Sequence, residues 1–181
     1  MKNEQELFAA LRTRFSQEGA WLLGVDGDQR AGKTSLATRL ADILNSTVIS
    51  ADDFFRWGTR PYPDALDLSA LSSAISDLRN NGKSAIVESV MLKLILEATN
   101  IQPTAILYVR HVSPCGQYTQ AKLFDAATLR AAIDEDDKFD KCFFPDRKYP
   151  SLDTEILRYH ENKKPHSSAD YVFDNCFAYG S

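Results

Sequence analysis

The chain has 181 residues, 44% of them hydrophobic and 25% charged, and its 21 Lys and Arg against 25 Asp and Glu leave a net charge of −4. That profile fits one soluble globular domain over residues 1–181 with a buried core. It excludes a general attraction to nucleic acid or to an anionic membrane, and no apolar run approaches the ~20 residues of a membrane span. Cys115, Cys142 and Cys176 are far apart and odd in number, with no CxxC pair, so neither a zinc site nor a disulfide framework is indicated. The opening stretch, MKNEQELFAALRTRF, has no apolar signal core, and a reducing cytoplasm is the expected setting.

In chain order, residues 3–16 carry Leu7, Phe8, Leu11 and Phe15 at helical spacing. Residues 21–25 form a short apolar run ahead of a glycine-rich stretch, which suits a buried strand. Residues 33–44 place Leu36, Leu40, Ile43 and Leu44 on one side of an amphipathic helix. A second strand is expected over TVIS, residues 47–50, and a loop over 54–66, where Gly58, Pro61 and Pro63 fall. Helical spacing resumes over 68–78 and stops at Asn81-Gly82. Residues 85–87 and 104–109 are further β-like runs. Residues 134–150, polar, aromatic and flanked by proline, read as a mobile excursion within a small lid over about 111–150. A short helix over 152–162 and a last strand over 169–173 complete the pattern. Strands alternating with helices predict a mostly five-stranded parallel sheet covered on both faces, a three-layer α/β/α domain.

Residues Gly27, Asp28, Gln29, Arg30, Ala31, Gly32, Lys33 and Thr34 match G-x-x-x-x-G-K-[ST], the Walker A pattern, followed by Ser35. Glycine lets the backbone close around an anion so that successive N–H groups face phosphate oxygens. The following helix adds its positive N-terminal end. Lys33 supplies a cation for the β- and γ-phosphates, and the Thr34 hydroxyl is a hard ligand suited to Mg²⁺. A chain of this length matches by accident on the order of once in a hundred. An apolar strand before the match and an amphipathic helix after it reduce that further. Arg30, inside the loop, either touches phosphate or is solvated.

The second strand leads into ISADDFFRWG, so Asp52 and Asp53 emerge at the ligand-binding edge of the sheet. One carboxylate there can accept or orient the proton of an attacking hydroxyl, or hold Mg²⁺ through water. Phe54, Phe55 and Trp57 offer an apolar wall for a ring. Glu88, directly after the run 85–87, stands where a metal-organising acid is needed.

GVDGDQRAGKTSLA followed by ISADDFF resembles the uridine kinase and nicotinamide riboside kinase group of P-loop kinases. PDALDLSALSSAISDL, AIVESVML and YHENKKPHSSADYVFDN are similar to further stretches of that group, and the matches spread over most of residues 20–175. The resemblance implies a P-loop NTPase fold and ATP- and Mg²⁺-dependent phosphorylation of a hydroxyl on a nucleoside, riboside or similar small metabolite. It gives Asp52 the base-like role, sets Phe55 in the acceptor pocket with Asp53 beside it, and puts Glu88 near Mg²⁺ with Thr34. A nucleotide-base pocket is expected around residues 165–170.

The family's lid carries an arginine cluster that clamps the transferred phosphoryl group, and here only Arg110, Arg130 and Arg147 are available, at the wrong spacing, beside an acidic DEDD at 134–137. Where relatives hold a ribose hydroxyl with an acid, this chain has Arg60-Pro61-Tyr62, leaving either Asp64 or Asp67 as a substitute or a substrate that is not a ribosyl compound. These departures motivate an alternative, a degenerate nucleotide-binding protein acting as a regulator or partner module. The absence of N-K-x-D and L-S-G-G elements argues against a GTPase switch or a transport ATPase. No aromatic-basic stripe points to a polynucleotide acceptor. His111, His160 and His166 have no metal spacing and read as surface or loop residues.

Overall fold

The computed structural model describes residues 1, 3–56, 61–113 and 115–176. In chain order the elements are α1 (Glu4–Phe15), β1 (Leu22–Gly27), α2 (Lys33–Leu44), β2 (Thr47–Ser50), α3 (Leu68–Asn80) and β3 (Ala85–Glu88). Then follow α4 (Leu92–Thr99), β4 (Ala105–Val112), α5 (Ala126–Phe143), α6 (Leu152–Lys163) and β5 (Tyr171–Cys176). Short 3₁₀ turns cover Ala51–Phe54, Ala121–Phe124 and Pro165–Ser167.

The five strands form one all-parallel sheet in the order β2-β3-β1-β4-β5. Alternating side chains divide the core in two. Leu23 and Val25 of β1, Ile86 of β3 and Leu107 of β4 face α1 and α2, meeting Leu7, Leu11, Leu36 and Leu40. Leu22, Ile49, Ala85 and Val87 point the other way, onto Leu71 and Ile75 of α3, Leu92 and Ile95 of α4, and Ile156 and Tyr159 of α6. Because both faces of a parallel sheet are covered, its strands read as nearly continuous apolar runs rather than alternating ones. The result is the three-layer α/β/α arrangement expected from the sequence.

Two elements differ from expectation. Residues 134–150 are not an excursion throughout: α5 runs for 18 residues, capped by the Asp125 side chain, which accepts from Thr128 N–H. Leu129 and Ile133, one turn apart, bury against Leu123 and Leu157. The acidic residues 134–137 belong to the same helix, which explains their polarity without a loop. α4 was not anticipated at all, because LKLILEAT is too short and too apolar for its period to distinguish helix from strand. Among the described residues, no helix is long and apolar enough to cross a membrane.

Candidate active site

The register of the sheet assembles the site. Ser50 of β2 pairs with Glu88 of β3, and Val25 of β1 pairs with Glu88 on the other side, so three strands end at one level. The chain leaves β1 through Gly27, whose φ is +152°, and a Cβ there would lie 2.4 Å from the Val109 carbonyl oxygen. Only glycine fits this crossing of β4. Arg30 (φ 58°) and Gly32 (φ 79°) then adopt left-handed conformations. The loop ends at α2, where Gly32 occupies the capping position with no side-chain cap. By contrast, α1, α3, α5 and α6 are capped by Asn3, Asp67, Asp125 and Ser151. The first N–H groups of α2 are therefore available to an anion. From β5, at the edge of the sheet, Asn175 Nδ2 donates to the Ala31 carbonyl at 2.9 Å.

Lys33 folds back along the loop, and its ammonium donates to the Asp28 carbonyl at 2.7 Å. Burial pulls its pKa below the ordinary lysine range, while Glu88, Asp26, Asp28 and Asp52 hold it up. Thr34 Oγ1 donates to Glu88 Oε1 at 3.1 Å, and Ser50 Oγ donates to the same oxygen at 2.7 Å. Asp52, on the 3₁₀ turn after β2, lines one cavity of 350 Å³ together with Gln29, Arg30, Lys33, Thr34 and Glu88. Gly32 and Ser35 line it too. Cations, an open helix end and two acids thus share a concave site, which is the arrangement that holds a polyphosphate and handles a proton beside it. Among the described residues, no three His, Cys, Asp or Glu side chains gather to hold a metal ion. The oxygens of Thr34 and Glu88 fit Mg²⁺, which keeps phosphate and water among its ligands.

The other expected residues lie apart from this cavity. Asp53 and Asp64 are exposed and do not line it. Phe55 is 38% exposed, and its backbone forms an antiparallel bridge with Leu66. Asp67 caps α3 and pairs with Arg56. Tyr62 is buried, with its hydroxyl against Ser89 and its N–H donating to Glu155 at 3.0 Å. Trp57, Gly58 and Arg60 lie outside the described residues. None of the three lid arginines lines the cavity. Arg110 pairs with Asp174 at 2.6 Å and lies over the Tyr118 ring. Arg130 pairs with Asp134 and Glu161, and Arg147 with Asp140.

A polar network under the loop was not anticipated. Asp26 is fully buried at the end of β1, accepting from the Gly27 N–H at 2.7 Å and from the Tyr159 hydroxyl. Burial pushes its pKa up to about 6, against the pull of those two hydrogen bonds and of Lys33. His160, expected at the surface, is 2% exposed. Its Nδ1–H donates to the Ile156 carbonyl at 2.8 Å, so Nε2 accepts from the Tyr108 hydroxyl at 2.6 Å. Burial lowers its pKa to about 4. His111 is also buried. In the segment expected to hold the base, His166 packs its ring edge-on against Tyr108 and Phe124. Asp26, Ser50 and Asn175 all lie inside the stretches that carry the family resemblance. The signal that could have found Asp26 was an acid at the end of an otherwise wholly apolar strand.

No protein-family model and no curated protein matches this chain. Solved structures do. A possible uridine kinase from Bacillus stearothermophilus is 18% identical, with a TM-score of 0.52 over 94% of this chain and 98% of that one. A candidate fructose transport system kinase from a Silicibacter species is 14% identical, with a TM-score of 0.49 over 98% of this chain and 100% of that one. An unliganded sugar kinase from a Janibacter species is 16% identical, with a TM-score of 0.47 over 87% and 84%. The first likeness agrees with the all-parallel sheet in showing a three-layer α/β/α fold for this chain.

Proposed function

We propose that the protein is an ATP-dependent small-molecule kinase that moves the γ-phosphoryl group to a hydroxyl of a nucleoside, riboside or similar metabolite. One observation carries this reading: Asp52 shares a cavity with Lys33, Thr34 and Glu88. The amides of residues 27–34 and the start of α2 hold the phosphates. Lys33 exchanges its carbonyl partner for phosphate oxygens and, with Arg30, neutralises charge on the transferred group. Asp52 takes the proton of the acceptor hydroxyl as its oxygen bonds to the terminal phosphorus and the bridging oxygen leaves with ADP. Thr34 and Glu88 would hold Mg²⁺, which supplies further charge neutralisation on the phosphates. Little covalent chemistry is asked of the chain, and most of the rate comes from position and electrostatics. The similar structure described as a possible uridine kinase agrees with the reaction class.

The ion pairs of Arg110, Arg130 and Arg147 favour a second reading, a nucleotide binder without turnover. Titration with Mg-ATP and measurement of ADP release against a panel of nucleosides, ribosides and sugars separates the two. Acceptor-dependent ADP release is expected. Tight ATP binding with no release for any acceptor would select the binder, and no ATP binding would end both readings.

A further inference from the structure

A second cavity, of 190 Å³, lies between the phosphate loop, the turn after β4, and helices α5 and α6. Gln29 lines both cavities, so the two adjoin at the loop. The wall carries Asp28 from the loop, Asp136 from α5 and Asp153 from α6, against one ammonium, that of Lys122. Carboxylates exceed cations by two in this lining.

Asp28 gives the cavity a specific demand. The residue is 7% exposed, and its Oδ1 accepts from the Gln29 N–H at 2.8 Å. Its Oδ2 is buried with no hydrogen-bond partner. A buried acceptor without a donor costs roughly 1–3 kcal/mol, a cost that a water or a ligand's donor group offsets. Burial pushes the Asp28 carboxyl above the ordinary aspartate range, and Asp153 adds to that. The Gln29 N–H, Lys33 and Lys122 oppose the shift without cancelling it. A donor at Oδ2 satisfies the hydrogen bond, and a cationic donor also relieves the excess of negative charge. Ile156 supplies an apolar patch for the carbon skeleton of a ligand.

Resting on the kinase reading above, we propose that this cavity is the acceptor's recognition site and selects a hydroxyl compound bearing a protonated amine, an amino alcohol or amino sugar. The ammonium sits beside the Asp28 carboxylate at the cavity wall, with Asp153 and Asp136 around it, and a small turn of that carboxylate offers it Oδ2. The hydroxyl end points past Gln29 toward the phosphate cleft.

Matched pairs differing in one amine test this: glucosamine against glucose, and 2-aminoethanol against ethylene glycol. Isothermal titration of the full chain reads the site without turnover. In at least one pair the amine should bind about tenfold tighter than its neutral partner, the scale of a charge-assisted contact in a half-open site. Asp28→Asn should erode that preference, and so should Asp153→Asn, an exposed position whose replacement leaves the core untouched. Equal binding within both pairs overturns the proposal, as does a preference that survives both substitutions. ADP release measured on the same pairs keeps the two readings apart. Amine preference with no ADP release from these pairs or from any acceptor of the panel upholds an amine site and removes the kinase reading. ADP release that ignores the amine upholds the kinase and removes this proposal.

Discussion

On one side of the phosphate loop, the Lys33 ammonium is bonded to a neutral carbonyl, and Arg30 has no carboxylate partner among the described residues. On the other side, around α5 and α6, Arg130, Arg147 and Arg158 are each matched by acids, at 2.7 to 3.3 Å. The loop keeps positive charge ready for an anion, whereas the helices use theirs to fasten α5 to its surroundings. The missing lid cluster is thus a difference in where cations are held. Lys33 and Arg30 are the cations that line the cavity holding Asp52, and in the kinase reading proposed above they are the ones that meet the transferred group.

The largest expected effect comes from emptying the loop of its charge. Lys33→Ala should lower turnover by about 10³-fold or more, on the scale of other cations that clamp a transferred phosphoryl group. Nucleotide titration and ADP release read the loss, and a variant that retained full turnover would break the contrast. Asp52→Asn should reduce transfer by about 10²-fold or more while leaving nucleotide affinity in place, because the carboxylate acts on the acceptor's proton. Parallel loss of affinity would mean that Asp52 serves the phosphates instead.

A third experiment addresses the buried network beneath the loop. Asp26 has a folded pKa of about 6, above its ordinary 3.8, so its protonated form stabilises the fold at low pH and that contribution is lost as pH rises through about 6. His160 runs the other way: with a folded pKa of about 4 against 6.5, its stability is full above 6.5 and is lost as pH falls toward 4. Over the shared interval the slopes oppose, and the two groups together leave stability nearly flat. Asp26→Asn removes one of them. Stability measured by urea unfolding should then drop as pH is lowered from about 6 to 4, with a slope approaching ~1.4 kcal/mol per pH unit. A slope equal to that of the unsubstituted protein would show that the compensation does not operate.

The smallest expected effect is on the helix side. Arg158 and Asp137 join α6 to α5 at 2.7 Å, and both side chains are partly exposed. Asp137→Asn should cost less than about 1 kcal/mol, as exposed pairs do. Turnover should be unchanged. A rise in turnover would mean that a released arginine can reach the phosphates, and the contrast would become a switch.

Much of the loop side was legible because local chemistry dictates it. Gly27, Gly32 and Lys33 form a pattern whose backbone demands are met within eight residues, and the strand before and helix after it follow from apolar spacing. The sequence marked Glu88 as an acid after an apolar run, but its register opposite Ser50 appears only in the folded sheet. The helix side was harder. The core contact of α5 is a narrow one around Leu129 and Ile133, and the run of four acids that follows, Asp134 and Glu135 of it exposed, hides the period. His160 illustrates a different limit: its partner, Tyr108, stands 52 residues away, and only the folded sheet brings a hydroxyl to its ring. Asp28 has a similar character, since its surroundings combine α6, which sequence spacing placed, with α5, which it read as an excursion.

The amide of Asn175 reaches the Ala31 carbonyl from a position 144 residues further along the chain. A nascent polypeptide emerging from a ribosome must therefore finish β5 before this latch can close on the nucleotide loop. Until then the loop has the right amino acids but lacks one of its braces.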